Sequence, residues 1–336
     1  MVFSSISFSY YFLPLFLILY FLVPGKLKNL VLLLASLFFY FYGEPIYSVL
    51  IILSSVLGYL HGRWIHINRE GRYAKLPLIS SIITGAGMLV FFKYSDFFIE
   101  NINQALSLNI LPLNLELPIG ISFYTFQILS YTIDVYRGDA KVQKSLINFS
   151  TYVMLFPQLI AGPIVRYTTV EAELLEREHS LKNTAYGINR FIIGLSKKVL
   201  IANTLGELEK VFSNIGDKTV LLYWASTIAF MLQIYFDFSG YSDMAIGLGR
   251  IMGFHFLENF NYPFISKSIS EFWRRWHISL GTWFKDYVYI PMGGNRGSRL
   301  KWNQKHRCRM VSDRLLAWCT MEFYRMGSVF CTAFDC

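Results

Sequence analysis

Long apolar runs separated by short polar punctuation make up most of this chain. Nearly uninterrupted apolar runs occupy residues 7–23, 30–42, 48–60, 76–92 and 220–236. A membrane span takes roughly 20 apolar residues, a few less when flanking Lys or Arg reach back to the interface. The five runs are therefore read as transmembrane helices. Three further runs, 119–135, 149–164 and 186–202, are apolar but interrupted by Gly, Pro or charge. Broken backbone at membrane depth survives only when packed in protein or lining a cavity, so these predict buried, tilted or re-entrant helices. With no internal repeat and no low-complexity linker, the expected fold class is a single all-α multi-pass integral membrane protein.

Composition narrows the class. The chain is 54% hydrophobic and 16% charged, which leaves too little polar surface to cover a soluble globule. Its 30 Phe and 22 Tyr suit lipid-facing surface and interfacial belts. A net charge of +9 would suit nucleic acid, but Lys and Arg fall in short clusters between apolar runs instead of forming one basic face. Nucleic acid is thereby excluded as a partner, and membrane orientation explains the clusters. Those at 26–28 and 63–75 are two runs apart and share one side, cytoplasmic by the positive-inside rule. The Gly43-Glu44-Pro45 turn, the N-terminus and the Asn-rich stretch 101–114 then face outside. No small-residue cleavage site follows the first run, and Lys26 and Lys28 come after it, so it reads as a retained span.

Ionisable residues inside a membrane cost at least a few kcal/mol and tend to face a partner or a cavity. Four polar clusters meet that description. The first covers 118–127 and continues to Asp134, Tyr136 and Arg137; the second, 156–167, contains Gln158. The third, 233–243, holds Tyr235, Asp237 and Asp243. Its two carboxylates suit a general acid and base, or else a helix-capping Asp and an Asp paired with Arg250 or Arg274. The fourth, 271–296, interleaves Trp273, Trp276, Trp283 and His277 with Arg274, Arg275, Lys285 and Arg296. On one continuous helix Trp273, Trp276 and Leu280 would share a face with His277 beside it, and the neighbouring cations would keep that histidine a neutral base. The same residues suit an interfacial amphipathic helix with snorkelling arginines. The arginine pair and the Gly293-Gly294-Asn295-Arg296 turn also suit a phosphate-bearing ligand such as a coenzyme A thioester. All four cysteines, Cys308, Cys319, Cys331 and Cys336, lie near the end, and their spacing suggests no zinc site and no redox pair, so no metal is expected.

Phe272-Trp273-Arg274-Arg275-Trp276-His277-Ile278-Ser279-Leu280, followed by Tyr289-Ile290-Pro291-Met292-Gly293-Gly294-Asn295-Arg296, resembles the membrane-bound O-acyltransferase family, in particular the bacterial branch that includes alginate O-acetyltransferase. The strings 156–163 and 235–243, and Val2-Phe3-Ser4-Ser5, carry the same likeness, which covers about residues 1–300. The resemblance implies a helical bundle with re-entrant helices around a tunnel, in the cytoplasmic (inner) membrane of a bacterium. It implies transfer of an acetyl group from a cytosolic thioester, acetyl-coenzyme A, towards an exported cell-surface polysaccharide of the alginate type. Transfer would be direct or through a periplasmic or surface acetyltransferase partner, with no bound cofactor. His277 matches the first of two family histidines, in an accessory role. Trp273, Arg274, Trp276, Asp286, Asn295, Arg296, Tyr235, Asp237 and Gln158 become candidates for lining the tunnel or holding the donor.

The family's second histidine, the essential one, lies in a later segment reading Trp-His-Gly-Ala-x-Trp-x-Phe-x-x-Trp-Gly, which this chain lacks in frame. Read one base later, the codons of Met321-Glu322 and Met326-Gly327 each force Trp, and those of Trp318-Cys319 force Gly. The remaining codons permit His-Gly-Ala-x-Trp-Ser-Phe-Ile-x-Trp-Gly. The expected organisation is a membrane domain over 1–301, incomplete at its end, and an out-of-frame tail over 302–336. His306, in a Lys- and Arg-rich stretch, is no substitute, and the 336 residues alone are expected to be inactive. The competing readings are a short paralogue with a new tail, a transporter or channel lined by Asp237 and Asp243, and a truncated non-catalytic remnant.

Overall fold

The structure, a computed structural model, describes residues 2–69, 71, 73–216 and 219–294. Among them it is helical, with no strand. The α-helices in chain order are α1 (Leu13–Leu22), α2 (Lys28–Gly43), α3 (Ser48–Asn68), α4 (Lys75–Leu106), α5 (Ile121–Arg137), α6 (Leu146–Met154), α7 (Phe156–Leu159), α8 (Tyr167–Leu175), α9 (Leu181–Ser196), α10 (Asn203–Ser213), α11 (Val220–Ile251), α12 (Ile269–Arg275) and α13 (Ile278–Phe284). Four helical stretches are long and apolar enough to cross a membrane: Gly25–Gly43, Ser48–Asn68, Lys75–Leu106 and Val220–Ile251. They coincide with four of the five expected spans. The first run forms a shorter apolar helix, Ser7–Leu22. Its opening turns, Ser7–Phe12, are π-helical, and Pro14 lies at the start of α1. A proline has no N–H to give the preceding turn, and local π-type bonding is one way the freed carbonyls are satisfied in an apolar setting.

Two compact units divide the chain, one from Met1–Val56 with Gln143–Ser279, the other from Leu57–Val142 with the described residues from Leu280. In the first, an aromatic core forms around Phe156. Its N–H is accepted by Ser36 Oγ at 3.1 Å, and Phe3, Phe8, Phe12, Phe16 and Phe39 pack on its ring within 6.3 Å. The 149–164 run is broken as expected: α6 stops at Met154, and Pro157 starts the new turn of α7.

The largest helix contact of this unit is between α9 and α11, and glycines make it. A Cβ on Gly187 would stand 2.6 Å from Gly247 O, and one on Gly194 would stand 2.5 Å from Gly240 O. The reciprocal substitutions, at Gly247 and Gly240, would meet Gly187 O and Gly194 O at 2.6 and 2.8 Å. Small residues at matched seven-residue intervals let the two backbones touch, as at helix crossings in lipid.

In the second unit the first polar cluster becomes α5, buried along most of its length. Ser81 of α4 donates to Thr132 Oγ1 at 3.0 Å, and Tyr287 donates to Asp134 Oδ2 at 2.7 Å. Gly138 ends the helix at φ 89°, its N–H on Asp134 O at 2.9 Å.

Candidate functional site

The fourth polar cluster does not form one helix. Ser268 caps α12, its Oγ accepting the Glu271 N–H at 3.2 Å, and Glu271 pairs with Arg275 one turn on at 2.9 Å. Then the helix stops. Trp276 is extended (φ −99°, ψ 127°), His277 has φ 45°, and α13 begins at Ile278. The cause is the segment 259–261, which takes the hydrogen bonds that a helix would keep for itself. Asn261 N–H donates to Arg275 O and Ile278 N–H to Asn259 O, both at 2.9 Å, while the Arg275 guanidinium donates to Asn261 O at 3.1 Å. The expected shared face of Trp273 and His277 is therefore corrected: Trp273 is 51% exposed and its described ring contact is Phe272.

Asn259, fully buried, organises His277. Its Oδ1 lies 3.0 Å from His277 Nδ1, 2.9 Å from Ser279 Oγ and 3.3 Å from the Ser279 N–H, and its Nδ2 donates to Ser242 Oγ of α11 at 3.0 Å. Ser279 Oγ in turn accepts the Ile164 N–H at 3.0 Å. A backbone N–H can only donate, so the amide atom facing Ser279 is the carbonyl oxygen. A carbonyl oxygen can only accept, so His277 carries its proton on Nδ1, and Nε2 keeps a free lone pair. The aromatic wall is real but comes from elsewhere than expected. Phe238 stands edge-on to the imidazole at 4.8 Å and Phe260 lies nearly parallel at 6.4 Å. Burial alone pushes the His277 pKa down to about 3. The cause that favours the neutral ring is desolvation, not the neighbouring cations that the sequence suggested.

Asp237 and Asp243 are ion-paired, with other partners than those expected. Asp243 holds Arg190 and Lys197, each at 2.6 Å, and Asp237 holds Lys198. All three cations lie on α9 or the π-helical segment Lys197–Ala202 that follows it. They reach α11 because the glycine contact sets the helices that close. Glu258 takes the other side of the Arg190 guanidinium at 2.6 Å. Arg250 lies 5.6 Å from the Tyr186 ring, and Arg274 is exposed.

A cavity of about 510 Å³ opens beside this network. Arg190, Lys197, Asp243 and Glu258 supply its charged wall; Tyr235, Phe260 and Tyr262 its aromatic one; Asn259 and Ile278 border His277. Tyr235 meets Phe260 at 6.0 Å and Trp276 at 6.3 Å, and Trp276 lies nearly parallel to Phe272 at 5.7 Å. Of the candidates, Tyr235, Trp276 and His277 are thus brought together, with Asp237 on the same helix as Tyr235. Gln158 is buried apart from them, its amide donating to Tyr152 O at 2.6 Å. Asp286 belongs to the other unit, where its backbone O accepts from Arg137 at 3.2 Å. Asn295, Arg296 and the tail 302–336 lie outside the described residues. Asn259, Ser242, Ser279 and the α9 cations were not anticipated. The polar run Glu258-Asn259-Phe260-Asn261 was the available signal for the first of these. Among the described residues no group of His, Cys, Asp and Glu is placed to hold a metal ion.

Comparison with known proteins gives the family. The chain is 46% identical over 305 residues to the probable alginate O-acetylase AlgI of Pseudomonas aeruginosa, covering 89% of this chain and 58% of that protein. It is 35% identical over 333 residues to the peptidoglycan O-acetyltransferase of Helicobacter pylori, covering 89% of this chain and 63% of the relative. To the teichoic acid D-alanyltransferase of Bacillus subtilis it is 34% identical over 189 residues, 53% of this chain and 46% of the relative. The chain thus spans about three fifths of the length of the first two relatives. The model of the membrane-bound O-acyltransferase family matches residues 120–306, more than half of the 336, and that stretch carries His277, Asn259 and the whole cavity wall. The chain belongs to the membrane-bound O-acyltransferase family.

Proposed function

We propose that this chain is the larger part of a membrane O-acyltransferase that moves an acetyl group from a thioester donor, acetyl-coenzyme A, to hydroxyls of an exported cell-surface polysaccharide, in the inner membrane of a bacterium. The observation that carries the reading is the neutral His277, its Nδ1–H committed to Asn259 and its Nε2 free, next to a charged and aromatic cavity inside the family-matched stretch. In such a transfer the acceptor oxygen attacks the thioester carbonyl carbon, the C–S bond breaks, the hydroxyl proton passes to a base, and the thiolate leaves. A conjugate acid near pKa 3 makes His277 a poor proton acceptor at neutral pH, where a useful base has a pKa close to the working pH. Its Nε2 is suited instead to accept a hydrogen bond from the acceptor hydroxyl and aim the oxygen. The accessory role implied by the family likeness thus has a physical basis.

The proton acceptor is the family's second histidine, which we place in the segment encoded one base out of frame at residues 317–327. The polymer receives the acetyl group directly or from a periplasmic or surface transferase partner. Resequencing the region that encodes residues 295–336 tests the frame, and an intact frame with these cysteine codons overturns it. For activity, the chain is joined after Lys301 to the C-terminal segment of the Pseudomonas relative and expressed in a strain lacking its own O-acetylase. The chimaera restores polymer acetylation and releases coenzyme A from acetyl-coenzyme A only when acceptor is present; the 336 residues alone do neither. In the chimaera, His277→Asn costs about tenfold in turnover, the worth of one positioning hydrogen bond. A loss of a thousandfold or more makes His277 the base, and solute flux without thioester turnover favours a transporter.

A further inference from the structure

The first unit holds a second cavity, of about 420 Å³, that the acyl-transfer reading does not use. Its position follows from the chain: the turn after the apolar helix Ser7–Leu22 carries Lys26 and leads straight into the span Gly25–Gly43, so it stands at a membrane boundary. Lys26, Lys28 and Asn29 line the cavity from that turn, and Arg177 and His179 line it from the connection between α8 and α9.

The charge in this cavity is unbalanced. Among the described residues neither Lys26, Lys28 nor Arg177 has a carboxylate within ion-pair distance. Glu173, the nearby acid of α8, is taken by His255, leaving Glu176 as the one carboxylate on the wall. Arg177 is held rigidly: one Nη donates to Tyr20 Oη at 3.2 Å, the other donates to Asn29 Oδ1, and the guanidinium lies 4.7 Å from the Phe254 ring. Among the described residues two of its five donors are used in this way, which leaves three for a ligand. The Asn29 amide is itself fixed, donating to Asn148 Oδ1 and Leu174 O at 2.8 Å each. Lys28 Nζ sits 5.0 Å from the Tyr20 ring and has no hydrogen-bond acceptor among the described residues. The His179 pKa is lowered by burial, then by Lys28 and Arg177, as a cation-rich pocket demands.

We propose that this pocket is a phosphate site. Preset guanidinium donors, a free ammonium and a net positive wall match a phosphate ester. Its boundary position, with Leu22 76% and Leu27 46% exposed beside it, matches the headgroup level of an anionic phospholipid. The phosphates of a coenzyme A donor have the same chemistry, and the experiment separates the two sources. As a phosphate site it stands independently of the acyl-transfer reading, and only its assignment to the donor rests on that reading.

The full chain is placed in phosphatidylcholine nanodiscs, and binding of spin-labelled phosphatidylglycerol and of coenzyme A is measured separately. One saturable site is expected for one of the two, weakened roughly tenfold by Lys28→Gln, the cost of one charge-assisted hydrogen bond. Saturable binding of the lipid identifies a headgroup site; saturable binding of coenzyme A identifies a donor site. Arg177→Gln should abolish binding, and if that variant does not fold, Lys26→Gln combined with Lys28→Gln decides in its place, since neither side chain makes a hydrogen bond among the described residues. No saturable binding of either probe, or binding that Lys28→Gln leaves unchanged, overturns the proposal.

Discussion

His277 combines two costs that a single side chain rarely carries. A φ of 45° is unfavourable for a residue with a Cβ, least so for Asn, Asp and His. Burial in addition denies the ring its charge. The unfolded chain takes up a proton on this histidine below about pH 6.5, whereas the folded chain does so only near pH 3. Between those values the unfolded state binds more protons, so stability falls as pH falls through that window. His277→Asn tolerates the same φ and does not titrate. The thermal midpoint of the original chain should therefore drop more between pH 7.5 and pH 5 than that of the variant. Parallel drops would mean that the ring is not held neutral by burial. The setting of His277 among Trp and Arg was legible in the sequence. Its conformation was not, because the break after Arg275 is imposed by hydrogen bonds to residues 259–261, across separations of 14 to 19 positions, and local pattern carries no trace of them.

At the scale of the helix, the seven-residue glycine steps of α9 and α11 decide what the site can contain. They bring Arg190, Lys197 and Lys198 within reach of Asp243 and Asp237, and the aspartates are thereby committed to ion pairs. Gly247→Leu places a side chain where Gly187 O already stands 2.6 Å from an added Cβ, so the helices must part. The expected result is a loss of several degrees in thermal midpoint together with loss of acyl transfer by the chimaera. Gly25→Ala, with nothing within 4 Å of its added Cβ, serves as the control with no change. An unchanged midpoint for Gly247→Leu would show that the contact is not close. The helices themselves were legible, since hydropathy alone located four spans and the buried α5. Their pairing was not, because glycine spacing on one helix acquires meaning only opposite matching glycines on another.

For the whole molecule, the arrangement in the membrane rests on few charges and is open to direct test. Lys26 and Glu44 stand at the two ends of one helix long and apolar enough to cross a membrane, so they are expected on opposite faces. The first 307 residues contain no cysteine, so with the four tail cysteines changed to serine a single introduced thiol reports its own side. Glu44→Cys should react with a membrane-impermeant maleimide in intact spheroplasts, and Lys26→Cys only after lysis; the opposite pattern would invert the assigned orientation. One packing feature also bears on how the chain is made. Phe3 is fully buried and lies nearly parallel to Tyr241 at 4.6 Å. At a synthesis rate of roughly 5–20 residues per second, the partner of the third residue leaves the ribosome about 10–50 seconds after it. Throughout that interval Phe3 lacks the ring that stacks on it. The seat of Phe3 is therefore completed late: Phe8, Phe39 and Phe156 supply its earlier walls, and the last closes only when α11 arrives.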